Sequence, residues 1–85
     1  MHIELRFFAS VREAVGVSNE RIELPPGVTT VGAVREHLVE RGGAWREALG
    51  HERALRMAFN HVMCGPETDI QEGGEVAFFP PVTGG

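Results

Sequence analysis

Only one segment of this 85-residue chain carries a helical stripe long enough to lie across a sheet. Thr30 is placed to cap it, and Val31, Val34 and Leu38 fall at i, i+3 and i+7, so one side turns toward a core. Gly42 and Gly43 stop it. Elsewhere the apolar residues alternate with polar ones, the period of strands that bury one face. A single helix can cover one side of a sheet. The other side must meet solvent or a second molecule, and its side chains decide which.

Taken in order, residues 2–8 place Ile3, Leu5 and Phe7 on one face and His2, Glu4 and Arg6 on the other. Phe8 breaks the pattern by putting an aromatic on the polar face. Ser10 and Glu13 fit a capping box for a short helical turn that ends at Gly16. Residues 19–24 form a second strand with Ile22 and Leu24 inward, closed by Pro25-Pro26-Gly27. Between residues 44 and 53, Trp45, Ala48 and Leu49 suggest another helical turn over the core, limited by Gly50. Leu55, Met57 and Phe59 resume the strand period, and Asn60-His61 fits a tight turn into Val62, Met63 and Cys64. Ile70 is expected to plug the core from a loop. Residues 72–75 turn the chain into a last strand, 76–79.

This order predicts a single-core α+β roll, a mixed sheet with one main helix across one face. The first and last strands are expected as parallel neighbours in the middle, which puts the C-terminus at an exposed end. The division is then a domain at 1–79 and an extended tail at 80–85. With Val76 and Phe78 inward, Phe79 points outward, and so does Phe8. The two aromatics should share the open face beside the exit of the tail, a candidate docking patch.

The tail itself is chemically sparse. Pro80 and Pro81 end the ladder by removing backbone donors and favour a stiff, extended exit. Val82 and Thr83 follow, then Gly84 and Gly85, whose lack of Cβ atoms suits a narrow pocket. Six residues span at most about 20 Å. The one reactive group such a tail can deliver is the carboxylate of Gly85.

A net charge of −4 leaves no basic surplus for nucleic acid. All eight basic residues are arginine, so copies cannot be joined through a lysine side chain. A lone cysteine, Cys64, excludes an internal disulfide and suits a reducing cytoplasm. No stretch reaches membrane-spanning length, and charged Glu4 and Arg6 stand where a signal peptide needs an apolar run. His61 and Cys64 are half a zinc site without the other half, so no metal is expected. Gly73-Gly74 is a turn rather than a phosphate loop, and no serine, histidine and carboxylate set can be argued. With no cofactor site of its own, the chain can have its carboxylate activated only by another enzyme, most economically through ATP. A domain with an exposed Gly-Gly carboxylate, an apolar patch beside it and no active site is a carrier.

The segments FFASVREAVG near the start and GGEVAFFPPVTGG at the end resemble the small subunit of molybdopterin synthase, and the pattern between them agrees over nearly the whole chain. The resemblance implies the ubiquitin-like β-grasp fold. It implies that a ubiquitin-activating-like enzyme adenylates Gly85 with ATP and that a sulfur source converts it to a thiocarboxylate. Held by the large synthase subunit, the tail would then donate sulfur to cyclic pyranopterin monophosphate, in an assembly with two copies of each subunit. Gly84 and Gly85 carry the chemistry on this view, while Phe8, Phe79, Pro80, Pro81, Val82 and Thr83 dock and thread. The turn Gly73-Gly74-Glu75-Val76 departs from the family's usual Gly-Asp-Glu-Val, and Asn60-His61 with VMCG is also atypical, which leaves the pairing of residues 55–64 open. The competing readings are sulfur delivery to thiamine or tRNA thiolation, a protein modifier joined through Gly85 to lysines, and an interaction module whose glycine tail is incidental.

Overall fold

The computed structural model describes residues 1–81. Strand β1 (His2–Phe7) leads into helix α1 (Ala9–Val15) and strand β2 (Asn19–Glu23). Helices α2 (Val31–Val39) and α3 (Gly43–Leu49) follow, then β3 (Arg56–Phe59), β4 (Val62–Cys64) and β5 (Glu75–Phe79). The strands form one mixed sheet in the order β2-β1-β5-β3-β4. As the alternation demanded, β1 and β5 lie side by side and parallel in its middle, with Leu5 opposite Val76 and Phe7 opposite Phe78. This register carries both termini of the sheet's central pair in one direction, so the chain leaves β5 at the end where β1 turns into α1.

Helix α2 forms where its stripe required. The Thr30 hydroxyl accepts from the Ala33 N–H at 3.1 Å, and Val31, Val34 and Leu38 are fully buried. They meet Ile3, Leu5, Phe7, Val76 and Phe78 from the inner face of the sheet. Ile70 closes this core from its loop at 5% exposure. The weak signal at Trp45, Ala48 and Leu49 is a real helix, α3, and Trp45 packs edge-on against Phe7 with ring centroids 5.4 Å apart. The Asn60-His61 turn has φ of 49° and 69°, the left-handed pair that a two-residue hairpin uses, and it joins β3 to β4 in the antiparallel register Ala58 to Met63.

One local reading is corrected. Helix α1 does not start from a Ser10–Glu13 capping box; it starts at Ala9, with Phe8 in the capping position and no side-chain hydrogen bond there. The need to turn the chain within one residue of a buried strand moved the start of the helix ahead of the serine.

The loop at 65–70 returns to the start of α2. The N–H groups of Val31 and Gly32 donate to the carbonyls of Thr68 and Pro66, satisfying donors that a helix start leaves free. A Cβ on Gly32 would stand 2.9 Å from both Cβ and O of Pro66. Gly32→Ala should therefore lower stability by about 1–2 kcal/mol, overpacking outweighing the better helix propensity of alanine. Thermal unfolding checks this: a raised midpoint would show that the loop yields freely.

Candidate docking face and tail root

The uncovered side of the sheet is built by the residues that alternate away from the core. Phe8 and Phe79 meet there as expected, with ring centroids 6.2 Å apart and planes at 86°, the edge-to-face geometry that aromatic quadrupoles favour. Phe8 is 43% exposed and Phe79 is half-buried. The Arg6 guanidinium lies 5.6 Å from the Phe8 ring centre, close enough for a cation–π contact.

Strand register extends this pair into a strip. Ala77 stands opposite Arg6 on one side and Ala58 on the other, and Ala58 stands opposite Met63, which is 53% exposed. Two alanines thus make a shallow floor between an aromatic wall and a flexible thioether. The sequence reading missed Ala58, Ala77 and Met63. The signal existed in the alternation of β3 and β5, but it needed the pairing register to show that these residues adjoin. Charged residues border the strip: Glu75 pairs with Arg6 at 3.8 Å and with His61 at 3.6 Å, and Glu4 with Arg21 at 3.7 Å. An apolar centre with a charged rim is the anatomy of a protein–protein interface.

The tail begins beside this face. Pro80 is half-buried and lines a cleft of about 360 Å³ with Val11, Ala14, Ala48 and Leu55. Arg35 fixes the chain that forms one wall of it, donating to the carbonyls of Leu49 at 2.6 Å, Gly50 at 2.7 Å and Arg53 at 2.9 Å. Burial lowers the pKa of Arg35, opposed by the carboxylates of Glu36 and Glu52. The root of the tail is thus held by built structure on both sides, Phe79 against Phe8 and Pro80 in the cleft. Pro81 is exposed. Val82, Thr83, Gly84 and Gly85, to which the sequence assigned threading and chemistry, lie outside the described residues.

Among the described residues, no group of three or more histidines, cysteines, aspartates or glutamates is placed to hold a metal ion. Cys64 is half-buried and packs against the core from β4. No described helix is long and apolar enough to cross a membrane.

Away from the docking face, Arg41 ties β2 to the helices. It donates to the Glu20 carboxylate at 3.0 and 2.5 Å and lies 4.5 Å over the Trp45 ring. The hydrogen bond from Arg41 outweighs burial and holds Glu20 below its ordinary pKa of 4.5, while Arg41 is raised. The folded protein therefore binds the Glu20 proton more weakly than the unfolded chain. The stabilisation is complete above pH 4.5 and is lost as pH falls below it through the folded value. Both side chains are partly exposed, so the effect is at most about 1 kcal/mol. The gap in unfolding free energy between wild type and Glu20→Gln should shrink below pH 4.5; a gap independent of pH would refute the pairing.

The chain matches the ThiS family over residues 5–85. It is 42% identical over 83 residues to a Haemophilus influenzae protein named molybdopterin synthase sulfur carrier subunit, covering 98% of this chain and 99% of that one. Among solved structures it resembles one chain of the protein–protein complex of subunits 1 and 2 of the molybdopterin-converting factor from Helicobacter pylori, with a TM-score of 0.69 and 26% identity over the whole of this chain and of that one. It also resembles the Haloferax volcanii small archaeal modifier protein 1, with a TM-score of 0.74 and 26% identity over 95% of this chain and 98% of that one. The five-stranded mixed sheet with its main helix agrees with these structural matches, and with the family match running over residues 5–85 the chain belongs to the ThiS family.

Proposed function

We propose that this chain is the sulfur carrier subunit of a molybdopterin synthase. One observation carries the reading: the segment that leads to Gly84 and Gly85 leaves the sheet at the edge of an open aromatic face, with Phe79 edge-on to Phe8 and Pro80 lining a cleft. The full-length likeness to a protein named for this role supports it.

The chemistry asks little of the domain and much of its end. A ubiquitin-activating-like enzyme binds ATP, and the Gly85 carboxylate attacks the α-phosphorus, forming the acyl adenylate and releasing pyrophosphate. The terminal sulfur of a protein persulfide displaces AMP from the acyl carbon, and a second thiol then attacks the carrier sulfur of the acyl disulfide, forming a disulfide and releasing the thiocarboxylate. The strip from Phe8 to Met63 docks on the large subunit, and the tail passes the thiocarboxylate to cyclic pyranopterin monophosphate in a pocket of that subunit. Sulfur forms its bond to a precursor carbon as that carbon's bond to oxygen breaks, the oxygen leaving as phosphate or water, and a water molecule then cleaves the acyl–sulfur bond to return Gly85 as a carboxylate. Two transfers supply the dithiolene. Gly84 and Gly85 let the backbone pass where side chains would clash, and the prolines limit the entropy lost on threading.

The test is complementation. In cells lacking their own carrier subunit, this chain together with its cognate large subunit should restore molybdoenzyme activity. Thiamine prototrophy and tRNA thiolation should not depend on it in the source organism. Restoration of those pathways alone would move the assignment to another sulfur carrier. The likeness to a small archaeal modifier protein makes one further outcome informative: isopeptides between Gly85 and lysines of other proteins would favour a modifier.

A further inference from the structure

The two outer strands of the sheet are protected unequally. Strand β2 forms one edge, and Asn19, Glu20, Arg21 and Glu23 leave Ile22 as its one apolar residue. Charges of this kind discourage a sheet edge from adding another strand. Strand β4 forms the other edge and reads Val62, Met63, Cys64, with no charge. Val62 is 67% exposed and Met63 53%, more than any other large apolar side chain described.

The pairing register shows where the backbone of this edge points. The Asn60 N–H donates to the Glu75 carbonyl at 2.8 Å, so on β3 the backbone groups of Asn60 and Ala58 face β5. Those of Phe59 and Met57 then face β4, opposite Val62 and Cys64. Alternation directs the Met63 N–H and carbonyl away from the sheet, and among the described residues no loop or turn supplies them a backbone partner. Both faces of the edge are apolar. Met63 continues the floor of Ala58 and Ala77 on the open face, while Val62 and Cys64 lie with Phe59 on the helix side. Gly65 and Pro66 follow the strand, so only a short segment can pair there.

We infer that the free edge of β4 takes up a short, uncharged, extended segment of the large subunit as an added strand, hydrogen-bonded to the Met63 backbone. Continuity singles out this occupant, because Met63 is both the far end of the docking strip and the residue whose backbone faces outward. A strand added beyond β4 lies three strand spacings from β5, where the tail begins, or about 14 Å. A partner that grips the tail and covers the strip reaches that edge within the roughly 800 Å² of one side of an ordinary interface. Laid antiparallel, one residue of the segment returns both bonds of Met63. Its neighbours meet Val62 and Cys64 on the other face, so the segment carries apolar side chains on both sides. A second copy of this chain fits less well, since a three-residue edge alone falls short of the area a stable dimer buries. The large subunit in this statement rests on the carrier reading above.

Residue-specific amide exchange, read by NMR on the free carrier and on its complex with the cognate large subunit, tests this directly. In the free chain the Met63 amide should exchange almost unprotected, while those of Val62 and Cys64 are protected by β3. Binding should slow exchange at Met63 by at least about 30-fold. Substitution separates backbone from side chain. Met63→Ala keeps the N–H and should weaken binding about three- to tenfold through lost contact. Met63→Pro removes a donor that serves no bond within the sheet, so the free protein should stay folded. Its binding should be at least about tenfold weaker than that of Met63→Ala, because a partner carbonyl is left unpaired. Equal affinities for the two variants overturn the inference. So does a Met63 amide that stays unprotected in the complex, a measurement on the wild-type chain that decides even where Met63→Pro fails to fold. Protection of Met63 in the free chain that vanishes on dilution would also overturn it, giving the edge to a second copy. Failure of the wild-type chain to bind the large subunit at all would overturn the carrier reading, and this inference with it; binding without protection overturns the inference alone.

Discussion

Removal of Gly85 should abolish sulfur transfer while leaving the fold untouched. The buried core runs from Ile3 to Phe78, and the sheet ends at Phe79. The truncation removes no residue of that core, so thermal unfolding of the shortened chain should match wild type within about 0.5 kcal/mol. Activity behaves differently. Truncation shortens the tail by up to about 3.5 Å of reach and moves the terminal α-carboxylate to Gly84. Reacting atoms must approach within about 3–3.5 Å in the right direction, so such a displacement removes the reaction rather than slowing it slightly. Single-turnover transfer with the large subunit, beside a calorimetric scan, reads both effects. Appreciable turnover by the truncated chain would mean that Gly85 is incidental, and the interaction-module reading would gain.

The second large effect separates two adjacent phenylalanines. Phe78 is fully buried at the centre of the core, facing α2 with Val76. Phe78→Ala should cost about 3–5 kcal/mol, the range for emptying an aromatic site in a packed interior. A domain of this size has a total stability of roughly 5–15 kcal/mol, so much of the variant could be unfolded at physiological temperature. Phe79 points the other way. Phe79→Arg gives up an edge-to-face contact worth about 1 kcal/mol and sets a cation opposite Arg56, its cross-strand neighbour. The fold should survive with a loss of about 1–2 kcal/mol. Binding of the large subunit should weaken at least about 30-fold, as expected for a central aromatic anchor worth about 2 kcal/mol or more. A collapse of several kcal/mol in Phe79→Arg would place that ring in the core and contradict the open face.

The opposite fates of neighbouring residues show why so much of this architecture could be read from the chain. Alternation in β1, the Val76 and Phe78 positions of β5 and one i, i+3, i+7 stripe turn Ile3, Leu5, Phe7, Val76 and Phe78 toward a single helix and leave Phe8 and Phe79 facing the other way. That logic puts Phe8 and Phe79 on the same face, and their rings meet there. It also found the hairpin at Asn60-His61, because asparagine tolerates the left-handed conformation and strand signals flank it. What escaped the sequence was of another kind. The alanine floor of Ala58 and Ala77 is invisible until pairing is known, since alanine signals neither face. The start of α1 was misplaced because local capping chemistry favoured Ser10, whereas the structure follows a tertiary demand at Phe8 and Ala9.

The central claim is that Gly85 carries sulfur for a synthase, and the most direct test is intact mass spectrometry of this chain purified from its native source with whatever co-elutes. The expected result is a C-terminal oxygen replaced by sulfur in part of the population, together with a co-eluting synthase large subunit. An unmodified carboxylate from sulfur-replete cells, with neither an activating enzyme nor a synthase subunit bound, would contradict it.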